Sequence, residues 1–424
     1  MRWAACFDEV EIAPDPVKVP IWQSGRSFDP RYLIKLSASP YDSHLSQLLH
    51  PRMPLAENDF TEVDLSLQSR YEMFRFSRRM FTSICAEFGI APQRPETVLG
   101  TSFYDDTFDP NDDNFTESVA TSLAMSVGRA QRGRLAPTGF YSRKFRSLAE
   151  KDKSFADYLT RNSIDPTRME ALPEFQKAAL IRKILSTVVI RDEFLFERGD
   201  RMQEPVRARR FRARKRISHI YTGAHSLFAI CEGNPRWIIG LLRPLISDFA
   251  FNSDRLHLRT IGRALQAKRI ERTVSTLIVL LSTLRVEEPV GKSVSIIELI
   301  ETLGDSCFEQ VLGPEFNVEP RLSFVIDEDV QPAVLSAVGR AINQGALVLV
   351  PRNLTGTRGK ALVTTDPRGI NGRRVRLTFL FAPRYRLPLV LGRSVDLSSV
   401  LQERKIPGPK QEQLLLADLF SETP

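Results

Sequence analysis

A chain of 424 residues with 42% apolar and 26% charged residues has the composition of a folded protein with room for roughly two to four domains. Its 59 basic and 51 acidic residues leave a net charge of +8, which permits a polyanionic partner without requiring one. The four cysteines, Cys6, Cys85, Cys231 and Cys307, lie far apart with no CxxC pair, which excludes a disulfide framework and a cysteine-based zinc site.

In chain order, RWAACF (2–7) reads as a buried strand that ends in Asp8-Glu9. After a proline-marked connection, RYLIKLSAS (31–39) reads as a second strand, stopped by Pro40, and FTEVDLSL (60–67) alternates like a third. The stretch 69–89 then carries apolar residues at helical spacing and stops at Gly89. Strands followed by helix predict an α/β layer. Residues 91–170 turn polar, with an acidic patch YDDTFDPNDDNF before the basic RAQRGR. Asp109, Asn111 and Asp113 have the opening spacing of a calcium loop, but Asn114 stands at the glycine position and Ala120 at the closing glutamate, so a solvated insertion is the better reading.

From 173 to 250 the pattern is helical: PEFQKAALIRKILSTVV, KRISHIYTGAHSLFAICEG and PRWIIGLLRPLISDF, the last with Trp237, Leu241, Leu242, Leu245 and Phe249 along one side. Two more helices are expected over 254–284, then one at 295–303 and one at 331–344. ALVLVP and RRVRLTFLFAP are β-like and flank a Gly- and Arg-rich stretch, so helices lead into a basic two-stranded ribbon. The longest apolar run, VSTLIVLLSTL at 274–284, falls short of the about 18 residues a membrane span needs. With no signal-peptide pattern, a soluble, cytoplasmic chain is expected.

Two short motifs carry chemistry. A carboxylate at the mouth of a buried strand holds Mg²⁺ through its water shell, and a second beside it orients and polarises an attacking water. Asp8 and Glu9 have that arrangement; an ordinary acidic turn after a strand is the other reading. In CEGNPRWIIGLL (231–242), Gly233 ends one helix, Asn234 caps the next and Pro235 fits its first turn. Arg236 breaks this grammar, because a cation in the first turn opposes the helix dipole. It makes sense facing an anion such as a nucleotide phosphate, or paired with a carboxylate or solvent.

An apolar strand ending in Asp-Glu, a strand ending in Ser37 and Ser39, and a helical region with GNPR follow the order of AAA+ ATPases. The chain resembles the branch that holds the origin-recognition and Cdc6-type replication initiators. The resemblance implies Walker B residues Asp8 and Glu9 in catalysis, with Asp8 on the metal. It implies Ser37 or Ser39 as sensor 1, Arg236 as sensor 2, and Arg26 or Arg31 as arginine-finger candidates. It implies an α/β partial P-loop NTPase (AAA+) core over 1–90, a polar insertion over 91–170 and a helical lid domain over 171–250. A C-terminal winged helix over 251–405 and a tail over 406–424 complete the division. ATP and Mg²⁺ are the implied cofactors, and a homo-oligomer is compatible with the family.

The phosphate-cradling GxxxxGK[ST] is absent. VGKS (290–293) has Val286 where the first glycine belongs, and TGTRGK (355–360) lacks both the spacing and the Ser/Thr. Because that loop precedes Walker B in the family, the expectation is an N-terminally truncated ATPase, with a split ATPase as the other arrangement. ATP and Mg²⁺ then belong to the complete protein.

The remaining features are basic. VRARRFRARKR (206–216) has seven basic residues in eleven and reads equally as a solvated run or a nucleic-acid surface. The ribbon offers Arg358, Lys360, Arg373, Arg374 and Arg376 for phosphate contact, which predicts weakly sequence-selective DNA binding. A different class of protein fits the same scaffold: a non-hydrolysing signalling or protein-interaction module.

Overall fold

A computed structural model describes residues 3–8, 10, 13, 16–17, 20–21, 31–37, 61, 63, 70–91, 93–102, 135–173, 176–177, 180, 183–195, 219–251, 260–286, 294–350 and 370–403. Trp3–Phe7 (β1) and Tyr32–Leu36 (β2) pair as parallel strands, with Trp3 opposite Tyr32 and Phe7 opposite Leu36. The connection between them is long enough for the crossover that parallel pairing needs. Trp3, Phe7 and Leu33 are 55%, 39% and 56% exposed, unlike the usual parallel sheet, which is covered on both faces. The third predicted strand, 60–67, lies largely outside the described residues; its described positions 61 and 63 belong to no strand.

Arg70–Glu87 (α1) ends where Gly89 takes a left-handed φ of 69°, as the glycine stop predicts. Pro95–Leu99 (α2) follows. The described part of the expected polar insertion is well packed. Phe140–Lys151 (α3) and Lys153–Arg161 (α4) bury Tyr141, Phe145, Leu148, Phe155 and Leu159 in the same core as the helices after them. Few apolar residues suffice there, because they recur at helical spacing within a charged sequence. The acidic patch and the calcium-like loop, 103–120, lie outside the described residues.

Leu185–Phe194 (α5), Ala224–Cys231 (α6) and Pro235–Phe251 (α7) form the helical region. Phe74 and Phe81 of α1 meet Phe228 of α6 edge-on at 5.1 and 6.2 Å, and α7 buries Trp237, Leu241, Leu242 and Leu245. A single helix, Arg263–Ser282 (α8), occupies the described part of 254–284. Its buried Gln266 donates to the carbonyls of Leu99 and Ile261 at 2.8 and 2.7 Å and accepts from the Gly223 amide at 2.8 Å. One amide thereby fastens α2, the start of α6 and the start of α8.

Arg285–Val286 (β3) and Val294–Ser295 (β4) form a short antiparallel pair that leads into Ile296–Leu312 (α9). Ser295 caps α9 by accepting from the Glu298 amide, the Ser-x-x-Glu pattern of a helix start. Arg321–Val325 (β5), Pro332–Asn343 (α10), Leu347–Leu349 (β6) and Arg374–Leu377 (β7) follow. Ala382–Tyr385 (α11), Arg393–Asp396 (β8) and Leu397–Glu403 (α12) end the described chain. One sheet takes the order β6-β7-β5-β8, antiparallel except for β5 with β8. Helix α10 followed by the antiparallel β6–β7 pair is the helix-then-ribbon succession read from the sequence. However, β5 stands between α9 and α10, so these two helices lack the short turn of a helix-turn-helix.

A buried arginine joins α5 to the start of α4 and the end of α9. Arg191 of α5, fully buried, donates from Nε at 2.9 Å to Asp152, the residue that also caps α4. Its Nη1 donates to the carbonyls of Val311, Gly313 and Glu315 at 2.9, 3.1 and 3.3 Å, where α9 ends. Of these, the Val311 carbonyl lies in the last turn of α9 at the negative end of the helix dipole, so a guanidinium there is stabilised both by its hydrogen bonds and by the dipole.

Candidate functional site

The strand pair brings Asp8 and Ser37 together. The Ser37 amide donates to the Phe7 carbonyl at 2.9 Å, and the Val10 amide donates to the Ser37 carbonyl at 3.0 Å. These bonds continue the ladder past both strand ends and set the two side chains side by side. The Ser37 hydroxyl donates to the Asp8 carboxylate, and both residues are exposed. A carboxylate at the carboxyl end of a parallel strand, with a hydroxyl on the neighbouring strand, suits one Mg²⁺ held partly by water and phosphate oxygens. Among the described residues there is no cluster of three or more His, Cys, Asp or Glu side chains that would hold a metal without such help. Glu9 and Ser39 lie outside the described residues, as does Arg26; Arg31 immediately precedes β2, and its carbonyl accepts from the Trp3 amide at 2.8 Å.

The GNPR segment forms the predicted helix junction. Cys231 ends α6, Glu232 and Gly233 take left-handed φ values of 50° and 70°, and Asn234 then caps α7. The Asn234 side-chain oxygen accepts from the amides of Arg236 and Trp237 at 3.0 and 3.4 Å. Arg236 is exposed in the first turn of α7, where its charge opposes the helix dipole as the sequence indicated.

Glu232 is the residue that sequence reasoning missed. Its carboxylate accepts from Arg376 and Thr378, the latter at 2.8 Å, and from the Phe379 amide at 2.6 Å. The signal in the sequence was slight: a glutamate at a left-handed position that glycine or asparagine fills more easily.

The basic ribbon divides. Arg358 and Lys360 lie outside the described residues, as does the run 206–216. Arg373 is half-buried beside β7, its amide donating to the Ile370 carbonyl at 3.0 Å. Arg374 points its guanidinium inward, donating to the Ser323 hydroxyl at 2.7 Å and the Gly392 carbonyl at 2.5 Å. Arg376 holds Glu232 and lies over the Phe379 ring at 4.0 Å. Both were expected at a nucleic-acid surface, and both are engaged within the fold. Alternation along β7 puts Val375 and Leu377 in the core and Arg374 and Arg376 on the other face, where partners distant in the chain (Ser323, Gly392 and Glu232) receive them. On α10, Val334, Leu335, Val338 and Ile342 are buried as their spacing predicts, and Arg340 is exposed.

Among the described residues no helix is long and apolar enough to cross a membrane. A family model described as ORC-CDC6-like matches residues 1–397. No curated protein and no solved structure matches the chain. A parallel strand pair ending in aspartate and serine, followed by a helical region with GNPR, agrees with that match, and the chain belongs to the ORC-CDC6-like branch of the AAA+ ATPases.

Proposed function

We propose that this chain carries the Walker B, sensor 1 and sensor 2 elements of an ATP site, in an initiator-like protein that couples ATP to action on DNA. The observation that carries the reading is the Ser37 hydroxyl on the Asp8 carboxylate at adjacent parallel strand ends. Asp8 is the residue to hold Mg²⁺, which would neutralise phosphate charge. Ser37 orients the Asp8 carboxylate, and Glu9 is the base that positions water. Arg236 offers its guanidinium to a terminal phosphate from the first turn of α7. No GxxxxGK[ST] occurs in the 424 residues, so the amides and lysine that ordinarily grip the β- and γ-phosphates must come from elsewhere for turnover.

Titration of the purified chain with ATP in the presence of Mg²⁺ tests this. Weak binding is expected, further weakened by Asp8→Asn and by Arg236→Ala, without measurable hydrolysis. Equal affinity across the three proteins would remove the reading, and turnover abolished by Glu9→Gln would overturn the expected inactivity.

DNA contact is assigned to the ribbon through Arg358, Lys360 and Arg373. Across a salt series, loss of each of these should lower the slope of log affinity against log salt by about one unit. Arg374→Ala and Arg376→Ala should lower the melting temperature and leave that slope unchanged. The internal engagement of Arg374 and Arg376 favours one second reading, a non-hydrolysing protein-interaction module. If no ribbon variant alters the salt slope, that module replaces DNA in the function.

A further inference from the structure

We infer that Glu232 is a positioning residue for Arg236, fastening the turn that presents this arginine to the C-terminal sheet. The inference rests on reading Arg236 as the phosphate-facing arginine. Glu232 is itself in left-handed backbone, φ 50° and ψ 31°, a conformation that a residue with a Cβ adopts only at a cost. Glycine would take it without strain. What a glutamate adds is its carboxylate, 7% exposed, which receives three donors from one short stretch: the Arg376 guanidinium, the Thr378 hydroxyl and the Phe379 amide. Arg376 is fixed in turn by the Phe379 ring beneath it and by donation to the Leu377 carbonyl at 3.0 Å.

A second contact joins the same two parts. Gly345, in the turn from α10 to β6, has a φ of 68°, and a Cβ placed there would lie 3.1 Å from Asn234 Nδ2 and 3.4 Å from Trp237 Nε1. The cap and first turn of α7 therefore rest on the α10–β6 turn, while Glu232 grips the end of β7. Arg236 lies four residues after the gripped carboxylate, in the turn so held. Displacement of the β6–β7 ribbon thus displaces Arg236. By linkage, a ligand that favours one position of the ribbon over another changes the affinity at Arg236, and a ligand at Arg236 changes the ribbon's affinity by the same factor.

The test is hydrogen exchange on the full chain, comparing the parent with Glu232→Gln and Arg376→Met, variants that preserve size. Amides of Arg236, Trp237, Ile238 and Phe379 are followed relative to amides within α8. The expected result is a loss of protection of about tenfold or more at 236–238 and at Phe379 together, in either variant and no greater in the double variant. Loss at Phe379 with 236–238 unchanged would show that Asn234 alone holds the turn, and would overturn the inference. So would a uniform loss that includes α8.

Titration with ATP and Mg²⁺ supplies the functional arm. Glu232→Gln should weaken binding in the parent and add nothing to Arg236→Ala. If Arg236→Ala weakens binding and Glu232→Gln does not, the positioning role is lost. If the parent shows no binding, or Arg236→Ala leaves it unchanged, the phosphate-facing reading of Arg236 fails; the exchange result still decides whether the tie exists.

Discussion

The strand ends before Asp8 and Ser37 were legible because each residue follows a short apolar run. Their contact was not legible, since it depends on the register of two strands far apart in the chain. Glu232 shows the same limit more sharply: its partner Arg376 is 144 residues away, and no local pattern couples them. Tight packing gives another prediction of this kind. A Cβ on Gly304 of α9 would collide with the Tyr385 ring, and Tyr385 is itself fully buried. Gly304→Ala should destabilise by about 1–3 kcal/mol despite the better helix propensity of alanine, because the ring must move in a close-packed core. Urea denaturation of parent and variant measures this, and equal midpoints would show that Tyr385 shifts without cost.

Helices α1 and α10 lie close to the bounds their apolar stripes predict. The helix expected at 295–303 runs on to Leu312, the two expected over 254–284 give one among the described residues, and strands of mixed character were overlooked. RLSFV became β5 and RSVD became β8, and both owe their place to partners in the sheet more than to their own residues. Helices α3 and α4 were hidden by charge, yet that charge is structural. Asp192, on α5 and only 5% exposed in its side chain, accepts from Lys144 at 2.6 Å, Ser147 at 2.6 Å and Lys151 at 3.0 Å. Burial pushes its carboxyl upward, but the bonds from Lys144, Ser147 and Lys151 together outweigh that and hold it below the usual range. A carboxyl lowered on folding adds stability above its unfolded value of about 3.9, and the contribution is lost as pH falls through the lower folded value. Asp192→Asn should therefore lower stability at neutral pH and flatten the acid limb of the stability profile. An unchanged acid limb would assign acid sensitivity to other carboxylates. Arg191→Met should cost about 3–5 kcal/mol, because it strands the Asp152 charge and leaves the buried carbonyls of Val311 and Gly313 without their donor. A chemical denaturation series would read this, and a loss below about 1 kcal/mol would mean that water replaces the guanidinium.

Across the molecule the hydrophobic core is continuous from Phe74 to Val400, so the predicted borders at 170 and 250 separate segments of sequence that share one interior. Composition set the general class, but borders drawn from polarity could not show which surfaces meet. Thiol chemistry reads out this interior. Cys6 is exposed on β1, whereas Cys85, Cys231 and Cys307 are buried. Burial pushes the Cys85 thiol up to about 11, and burial with the neighbouring Glu232 charge pushes Cys231 up as well. A disulfide reagent should titrate one fast thiol in the native chain, lost in Cys6→Ser, and all four in denaturant. Two or more fast thiols would contradict the closed core. The buried Arg191 also bears on synthesis. Its three acceptor carbonyls come 120 to 124 residues later in the chain, so the arginine leaves the ribosome well before the end of α9 exists. Until then α5 carries a cation whose carbonyl partners are missing and which water must solvate. A nascent chain halted before Val311 should leave α3 to α5 open to protease, and one released past Glu315 should close them, so that this region completes its fold only when α9 has been made.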